Sequence, residues 1–388
     1  MAMAHSELTT SDWDGTVDRL GGAEALEIGA RATGAFQRPR EVKCAVDLLR
    51  LVLAYCLGDM GLRLTAAWSE GIGLASLSNV ALLGRLRNTV PWLESIVASL
   101  LSQSSAARSQ PAAGTGGAAG RTRLIRLVDA TTVRKAGKSA RENGRLWRIH
   151  AVLELPSERF SSFEVTDEKE AEAIDRVAVV PGEIRIADRV HCRADGLADV
   201  IAKGADVVVR ASWRSARWLE EDSRTCDIIR ELTSSTTGSI DRPIWLARAK
   251  ATPLRLRLIA VRMPKAEAVK AVAAARAEAR SKQRAIQPGT LVAAEWVILV
   301  TSLAPADYST VQVLDLYRLR WRIEIAFKRL KSLVGLAGPP GECPEVAKAW
   351  VLCHLIAVLL TEAQLAAFGD SPRRARVLGQ TCGAHSAS

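Results

Sequence analysis

The stretch Arg123-Leu-Ile-Arg-Leu-Val-Asp129 decides the fold, because it is a β-rich run that ends in a carboxylate and is followed by Ala130-Thr-Thr. A second stretch, Glu183-Ile-Arg-Ile-Ala-Asp188, has the same form. For either aspartate alone, a loop carboxylate or a helix cap is the simpler interpretation. If the two strands lie side by side, however, their carboxylates meet at one edge of a sheet.

The elements around these two stretches indicate a fold class. Two further strand candidates with a turn around Pro156 suggest an antiparallel meander, and Asp167 with Glu170 suggests a helix start. The other predicted ranges are strands at Leu146–Leu155, Phe160–Val165 and Asp206–Ala211 and a helix at Arg193–Lys203. Three meander strands, a helix, a strand, a helix and a strand describe a ribonuclease-H-like α/β core. In such a sheet the first and fourth strands are neighbours, so we expect Asp129 and Asp188 to lie together.

A mainly β insertion is expected to interrupt this core. It contains the strand candidates Leu254–Arg262 and Trp296–Thr301 and a basic, Ala-rich helix at Lys265–Arg284. The predicted layout is a helical N-terminal DNA-binding region (1–101), a flexible linker rich in Ser, Ala, Gly and Pro (102–120), a core in two parts (121–212 and 302–367), the insertion domain (213–301) and a C-terminal tail (368–388).

The N-terminal region shows a weak DNA-binding signal. Residues 41–101 are rich in Leu, Ala and Val at helical spacing, which predicts a small helical domain. Within it, Leu62–Glu70 and Ser76–Arg87, joined by a glycine-containing connection, resemble a helix-turn-helix in which Ser78 or Asn79 begins the second helix. Two short helices joined by glycine occur in many bundles, so DNA binding by this segment rests mainly on the charge of the chain.

The composition favours a nucleic-acid partner. The 53 Lys and Arg against 42 Asp and Glu give a net charge of +11, which favours a polyanion; an anionic membrane surface is the alternative. The first 40 residues lack the basic start and apolar run of a secretory signal. Charged and polar residues interrupt the most apolar helix candidate, Val346–Phe368, so we predict a buried helix rather than a membrane span. Seven cysteines without a CxxC pair indicate reduced thiols and a cytoplasmic, nucleoid-associated protein.

A predicted helix over Tyr317–Lys331 carries a polar row. At about 100° per residue, Tyr317, Arg320, Glu324 and Lys331 fall within roughly 60° of one another. The adjoining face is an apolar stripe, made of Leu316, Leu319, Ile323, Phe327, Leu330 and Val334. A carboxylate among cations suits a metal-dependent enzyme that acts on a polyphosphate backbone. A solvated face with i,i+4 pairs is the simpler alternative for the row alone.

Asp129, Asp188 and Glu324 together match one kind of chemistry. Two-metal phosphoryl transfer needs carboxylates that converge on two divalent ions about 4 Å apart. Because the two aspartates are expected at neighbouring strand ends, and the helix with Glu324 would pack across the sheet, we interpret all three as catalytic metal ligands.

The polar row also resembles the signature of a known family. Its spacing, Y-x2-R-x3-E-x6-K, is similar to that of the DDE transposases of the insertion sequence four family. The blocks Leu127-Val-Asp129-Ala-Thr-Thr and Ile186-Ala-Asp188-Arg189 resemble that family's two aspartate blocks, and Val208-Val-Arg210 resembles the strand beyond them. The resemblance covers roughly residues 120–365, although Val190-His191 stands where the family often has Gly-Tyr.

This resemblance implies a cut-and-paste DNA transposase. Two magnesium ions, with manganese as a substitute, would be held by Asp129, Asp188 and Glu324 and would activate water to nick one strand at an inverted-repeat end. The freed 3′-hydroxyl would form a hairpin with the opposite strand, water would reopen it, and the hydroxyl would then attack target DNA. A homodimer is expected in the DNA complex.

The resemblance further implies which residues contact DNA. Arg320 and Lys331 would hold phosphates near the cleaved end, and Tyr317 would donate a hydrogen bond to the backbone. Arg189 and Arg210, which lie in the matching blocks, are also expected at the DNA.

Three other features have two interpretations each. Trp296 corresponds to a tryptophan that stacks on a flipped base in hairpin-forming relatives, or it packs in the core. His191 and Cys192 follow Asp188, but without visible partner ligands a structural role is favoured over a metal site. The helix Lys265–Arg284 tracks DNA or is a solvated face. The rival functions are a DNA-binding regulator that does not cut and a ribonuclease-H-like nuclease that cuts without joining.

Overall fold

The computed structural model describes residues 12–106, 123–134, 146–214, 216–333, 335–336, 338–339 and 343–369. The predicted linker begins inside a helix, since residues 102–106 continue Val90–Ala106. The rest of the linker to residue 120, the tail from residue 370, Val334 and Cys382 lie outside the described residues.

The described residues form one mixed sheet of nine strands. The strands are β1 (Ile125–Arg134), β2 (Leu146–Leu155), β3 (Arg159–Asp167), β4 (Ile184–Ala187), β5 (Asp206–Arg210), β6 (Trp218–Leu219), β7 (Ser239–Leu246), β8 (Leu254–Arg262) and β9 (Trp296–Thr301). Their order across the sheet is β3-β2-β1-β4-β5-β9-β8-β7-β6. β1 is antiparallel to β2 and parallel to β4, which is parallel to β5. The predicted meander and the predicted neighbourhood of the first and fourth strands are therefore confirmed.

β1 is longer than predicted. The strand continues past Asp129 because residues 130–134 stay paired with β2, whereas its pairing with β4 ends at Val128 and Ala187. The β-branched run Thr131-Thr-Val133 favours this extension. Asp129 thus lies where β1 leaves β4, and not at the end of its strand.

Helices cover both faces of the sheet. They are α1 (Trp13–Arg19), α2 (Gly22–Ala32), α3 (Ala45–Leu57), α4 (Leu62–Gly71), α5 (Asn79–Arg87), α6 (Val90–Ala106), α7 (Ala194–Ala202), α8 (Ile228–Ser234), α9 (Lys265–Ser281), α10 (Pro288–Ala294), α11 (Thr310–Arg318), α12 (Trp321–Leu333) and α13 (Pro344–Gly369). Because successive strand residues point to opposite faces, each central strand contributes side chains to two apolar cores, one on each face of the sheet. In β5, for example, Val208 belongs to the first core and Val207 and Val209 to the second.

The N-terminal helices share the first core with the sheet and the C-terminal helices. α6 packs along α13 and also contacts β3, while α3 and α5 contact α13 as well. Over Pro344–Leu365, α13 is long and apolar enough to cross a membrane, but 72% of its most apolar window is buried inside the protein. The prediction of a buried core helix is confirmed.

α4 and α5 lie where the helix-turn-helix is predicted. Ser78 caps α5, because its hydroxyl accepts a hydrogen bond of 3.2 Å from the N–H of Ala81. The buried side chains Leu82 and Leu86 fix one face of α5 in the core. The face of α5 opposite to Leu82 and Leu86 is therefore the one that a partner could contact.

The segment between β3 and β4 is a loop, so the helix start predicted at Asp167 and Glu170 is wrong. Residues 168–183 form turns without a helix. Arginine side chains donate to backbone carbonyls that a helix would have used internally. The donors and acceptors are Arg148 to Glu170, Arg176 to Ala171 and Arg185 to Ile174.

The predicted insertion, residues 213–301, extends the same sheet. β9 pairs antiparallel with β5, and β8, β7 and β6 follow outward. β8 and β9 have the predicted bounds, whereas the basic helix α9 ends at Ser281. Since α8, α9 and α10 also belong to the segment, it is a mixed α/β extension and only in part the mainly β unit that we expected.

Arg257 links this extension to the C-terminal helices. Its guanidinium donates to both carboxylate oxygens of Asp241, at 2.7 and 2.6 Å, and to the carbonyl of Tyr308 at 2.7 Å. Asp241 also accepts a hydrogen bond from Thr310, the first residue of α11. β7 and β8 thereby position the start of α11.

The predicted single helix over Tyr317–Lys331 is wrong, because α11 ends at Arg318 and α12 begins at Trp321. The N–H groups of Arg320 and Ile323 bond to carbonyls only three residues back, at 3.0 and 3.2 Å, which tightens the backbone between the two helices. The sequence has neither Gly nor Pro here. Tertiary contacts therefore set the break, and the side chain of Arg320 in it reaches Asp129.

Candidate active site

Asp129 and Asp188 lie at equivalent positions on neighbouring strands. Val128 and Ala187 are partners in the parallel register of β1 and β4, and the two aspartates are the next residues of each chain. The N–H of Ala130 donates to Asp129 at 2.8 Å, and the N–H of Val190 donates to Asp188 at 2.9 Å. Each carboxylate thus has one oxygen fixed by a local backbone donor, as expected for preformed ligands.

The electrostatics of Asp129 favour a bound cation. The pKa of its carboxyl is raised to about 7, chiefly by burial and also by the nearby Asp188 carboxylate. The Ala130 N–H and the Arg320 guanidinium act in the opposite direction but do not compensate. A divalent ion beside the two aspartates would supply the missing positive charge.

Arg320 connects the third predicted carboxylate to the first. Its guanidinium lies 3.6 Å from Asp129 and forms a short ion pair with Glu324. The Glu324 side chain is 46% exposed at the start of α12. Asp129 and Asp188 are thus neighbours, and within the described residues Glu324 is linked to Asp129 only through the guanidinium of Arg320.

Tyr317 also faces this site. Burial raises the pKa of its phenol, and Arg320, Arg210 and Asp188 lie near enough to influence it. Its hydroxyl is buried beside the Arg320 guanidinium, whose positive charge opposes the rise of the phenol pKa.

A second group of ligands, which the sequence did not reveal, adjoins Asp129. One ligand atom each of Asp129, Glu172 and His191 lie within 4.8 Å of one another. Among the described residues, neither Asp188 nor Glu324 completes such a close group with Asp129. Glu172 lies in the loop between β3 and β4, within the acidic run Asp167-Glu-Lys-Glu-Ala-Glu172, and its placement has no sequence signal beyond that charge.

The donor set at this site fits a divalent cation. Carboxylate oxygens are the ligands that Mg²⁺ and Mn²⁺ prefer, and an imidazole adds a nitrogen ligand. Burial lowers the pKa of His191 to about 4, so its ring is neutral at physiological pH, which is the form that binds metals.

The other predicted DNA contacts surround this centre. Arg189 and Arg210 line a cavity of about 500 Å³, together with Trp213, Lys282 and Trp296. Trp296 is only 1% exposed, and the guanidinium of Arg262 lies 4.9 Å from its ring centroid. A base could therefore stack on Trp296 only after this cavity opens.

Lys331 lies on α12, about two helix turns beyond Glu324. It is exposed, and partial burial lowers the pKa of its ammonium group. The helix α9 contributes a wall of the same cavity through Glu278 and several alanines, while the cations that line the cavity on this side, Lys282 and Arg284, follow the end of the helix.

Carboxylates on neighbouring parallel strands with arginines beside them are typical of enzymes that act on phosphodiesters. The transposase DDE domain family matches residues 120–360 of this chain. InsL, named as a transposase for the insertion sequence element IS186A of Escherichia coli strain K12, is 39% identical over 369 residues, which cover 94% of this chain and 96% of that protein. The transposase for insertion sequence element IS421 of Escherichia coli is 39% identical over 370 residues, with the same coverage.

The chain therefore belongs to the transposase DDE domain family. The resemblance to the DDE transposases of the insertion sequence four family is confirmed, and the protein is an enzyme that cleaves and transfers DNA strands. The regulator that binds without cutting is correspondingly disfavoured.

Proposed function

We propose that this transposase cuts an insertion sequence at its inverted-repeat ends and pastes it into target DNA by two-metal phosphoryl transfer. The observation that carries the proposal is the position of Asp129 and Asp188, one residue beyond the last paired residues of two parallel strands. The printed names of both relatives, which are transposases for insertion sequence elements, support the choice of substrate.

The catalytic core in this proposal is ribonuclease-H-like. The strand order β3-β2-β1-β4-β5 and the parallel pairing of β1 with β4 support this assignment. Residues 121–212 and 302–367 form the core, residues 213–301 are an insertion that widens the sheet, and residues 1–101 bind DNA through α4 and α5.

Asp129, Asp188 and Glu324 would hold two divalent ions, magnesium or manganese. Such ions would supply activation of the attacking oxygen and stabilisation of the leaving oxygen of the phosphodiester. The ion pair of Glu324 with Arg320 would have to open for this carboxylate to serve as a ligand, and a cation beside Asp129 would lower its raised pKa.

The basic and phenolic groups hold the DNA end. Arg320, released from the carboxylates, binds a phosphate near the cleaved bond, and Lys331 binds another. The buried Tyr317 hydroxyl, beside Arg320, donates a hydrogen bond to the DNA backbone. Arg189 and Arg210 bind the strand at the mouth of the 500 Å³ cavity.

The reaction passes through a DNA hairpin, and a homodimer on two paired ends carries it out. A hairpin is strained at its tip, so one base must leave the stack and find a new partner. The cavity beside Trp296 accepts that base. The complex works at the nucleoid in the cytoplasm, as the net charge of +11 favours.

The first prediction concerns the products of cleavage. With DNA that carries the element's ends, we expect a magnesium-dependent nick followed by a hairpin on a denaturing gel. Asp188→Asn and Glu324→Gln each remove a metal ligand and should lower the nicking rate at least about a hundredfold. Glu158→Gln, which alters a similarly exposed carboxylate paired with Arg322, is the matched control and should cut normally. Normal nicking by the ligand variants would refute the assignment, and nicking without a hairpin would indicate a plain nuclease.

The second prediction concerns Trp296. Trp296→Phe keeps an apolar ring in the core but reduces the stacking area, so hairpin formation should fall about tenfold more than the first nick. Trp92→Phe, at a tryptophan that is also 1% exposed but lies in the N-terminal helices, controls for lost packing. Time courses of both products give the two rates. Equal losses of nick and hairpin in both variants would place Trp296 in the core alone.

A further inference from the structure

We propose that Asp129, Glu172 and His191 form a divalent-cation site with a nitrogen ligand, which takes a transition metal such as Mn²⁺ in preference to Mg²⁺. The proposal deepens the function proposed above and rests on it only through Asp129, which belongs to both ligand sets. One carboxylate oxygen of Asp129, one of Glu172 and one ring nitrogen of His191 lie within 4.8 Å of one another.

The state of His191 points to a ligand. Its side chain is 2% exposed, and neither ring nitrogen forms a hydrogen bond with the described residues. Leaving a buried polar group without a partner costs about 1–3 kcal/mol, so native structures rarely do so without a reason. A cation coordinated by one ring nitrogen would remove most of that cost.

The position of His191 is set by its neighbour in the active site. Asp188 begins the short 3-10 turn Arg189–His191, and its carboxylate accepts the N–H of Val190 at 2.9 Å. The same turn therefore fixes one catalytic carboxylate and directs the imidazole to the group of Asp129 and Glu172.

Glu172 is oriented with one oxygen towards His191. Its Oε1 lies 3.3 Å from the guanidinium of Arg148, while its Oε2 lies 3.8 Å from Nε2 of His191. Two ligand atoms that each lie about 2.1 Å from one ion are at most about 4 Å apart, so the 3.8 Å separation fits a shared ion.

The loop that carries Glu172 is held in place before any ion arrives. Arginines bond to its carbonyls on both sides of Glu172, at residues 170, 171 and 174. The three arginines are Arg148, Arg176 and Arg185, and Arg185 is completely buried. A metal ligand on a loop that hydrogen bonds already hold in place loses little conformational freedom when the ion binds, which strengthens coordination.

The nitrogen ligand determines which metal binds best. Mg²⁺ prefers oxygen ligands in octahedral geometry and gains little from imidazole. Fe²⁺, Ni²⁺ and Zn²⁺ accept imidazole readily, and Mn²⁺, which also binds carboxylates well, stands at the weak end of the same transition-metal series. A site of two carboxylates and one imidazole is therefore expected to discriminate in favour of these metals.

Electron spin echo spectroscopy of Mn²⁺ bound to the full-length protein tests the site. In the parent protein we expect modulation from a directly bound ¹⁴N nucleus. His191→Gln should abolish this modulation and weaken Mn²⁺ binding at least about tenfold, with a smaller effect on Mg²⁺. Glu172→Gln should weaken Mn²⁺ binding by a similar factor but keep the modulation, which makes the test independent of how well His191→Gln folds.

The matched control is His150→Gln. His150 is another buried histidine, but its Nε2 already bonds to Thr166 at 2.9 Å, so its loss should leave the modulation intact. Absence of ¹⁴N modulation in the parent protein, or its persistence in His191→Gln, would overturn the site. If His191→Gln keeps its Mn²⁺ affinity while Asp188→Asn and Glu324→Gln abolish cleavage, the proposed function stands and this site fails. If those two variants cut normally while the modulation depends on His191, the site stands and the proposed function fails.

Discussion

Asp129→Asn is expected to lower DNA nicking at least about a thousandfold and, at the same time, to stabilise the metal-free protein. The loss of activity follows from removing a charged ligand common to both proposed metal groups. The gain in stability follows because the parent protein buries a carboxylate whose pKa is raised to about 7 from an ordinary value of 3.8. A shift of about three pKa units corresponds to at most about 4 kcal/mol at pH 8, and Asn retains the oxygen that accepts the Ala130 N–H.

The pH dependence follows from the sign of that shift. Between about pH 4 and pH 7 the folded protein binds the Asp129 proton more tightly than the unfolded chain does, so the contribution of Asp129 to stability falls as the pH rises through this range and levels off above it. The buried His150 and His191, whose pKa values are lowered to about 4, contribute in the opposite direction. Urea unfolding of the parent and of Asp129→Asn in EDTA therefore measures the difference between the two curves, which should grow in favour of Asp129→Asn as the pH rises from about 4 to about 7. Added Mn²⁺ should reverse the order of stability of the two proteins at pH 8, because only the parent binds the ion well. A stability difference between the parent and Asp129→Asn that is the same at pH 5 and pH 8 in EDTA would contradict the burial of this charge.

Arg185→Met is expected to have the largest effect on stability, about 3–5 kcal/mol. The guanidinium is completely buried and donates to the Glu183 carboxylate at 2.5 Å and to the carbonyls of Ile174 and Ala178 at 2.5 and 2.6 Å. Methionine fills part of the volume but leaves a buried carboxylate and two carbonyls without these donors. The loop that holds Glu172 should loosen as a result, and Mn²⁺ affinity should fall with stability.

Urea unfolding of a double-mutant cycle separates the charge from the packing. Glu183→Gln in the Arg185→Met background should recover part of the loss, because it removes the unpaired charge, although Arg126 at 3.1 Å still partners Glu183 in the single variant. Arg224→Met is the surface control. Arg224 is 81% exposed and pairs with Asp222, so its replacement should cost less than about 1 kcal/mol. Equal costs for Arg185 and Arg224 would show that the buried network contributes no more than a surface pair.

Much of the sheet could be predicted because its strands carry strong local signals. Leu146–Leu155, Leu254–Arg262 and Trp296–Thr301 have the predicted bounds, since each is a largely apolar run of strand length bounded by turn residues. The loop after β3 could not be predicted in this way. Its conformation depends on hydrogen bonds from Arg148 on β2 and Arg185 on β4. The residues of the loop alone do not predict these bonds.

The candidate site likewise has residues whose position could be predicted and residues whose position could not. Asp129 and Asp188 could be placed together because strand pairing determines their neighbourhood. The break between α11 and α12 was missed, since the sequence has no Gly or Pro there to mark it. Glu172 was missed because a glutamate in an acidic loop looks like any solvated charge until the fold brings it to His191.

The common core of the N-terminal helices, the sheet and α13 has a consequence for how DNA is measured. A DNA-binding domain on a flexible linker lies at many distances from the catalytic residues. Helices that share a hydrophobic core with the catalytic sheet stay at one distance from those residues. Any DNA bound by α4 and α5 is thus held at a constant offset from Asp129. The fold would then fix the number of base pairs between the sequence that α4 and α5 recognise and the bond that is cleaved.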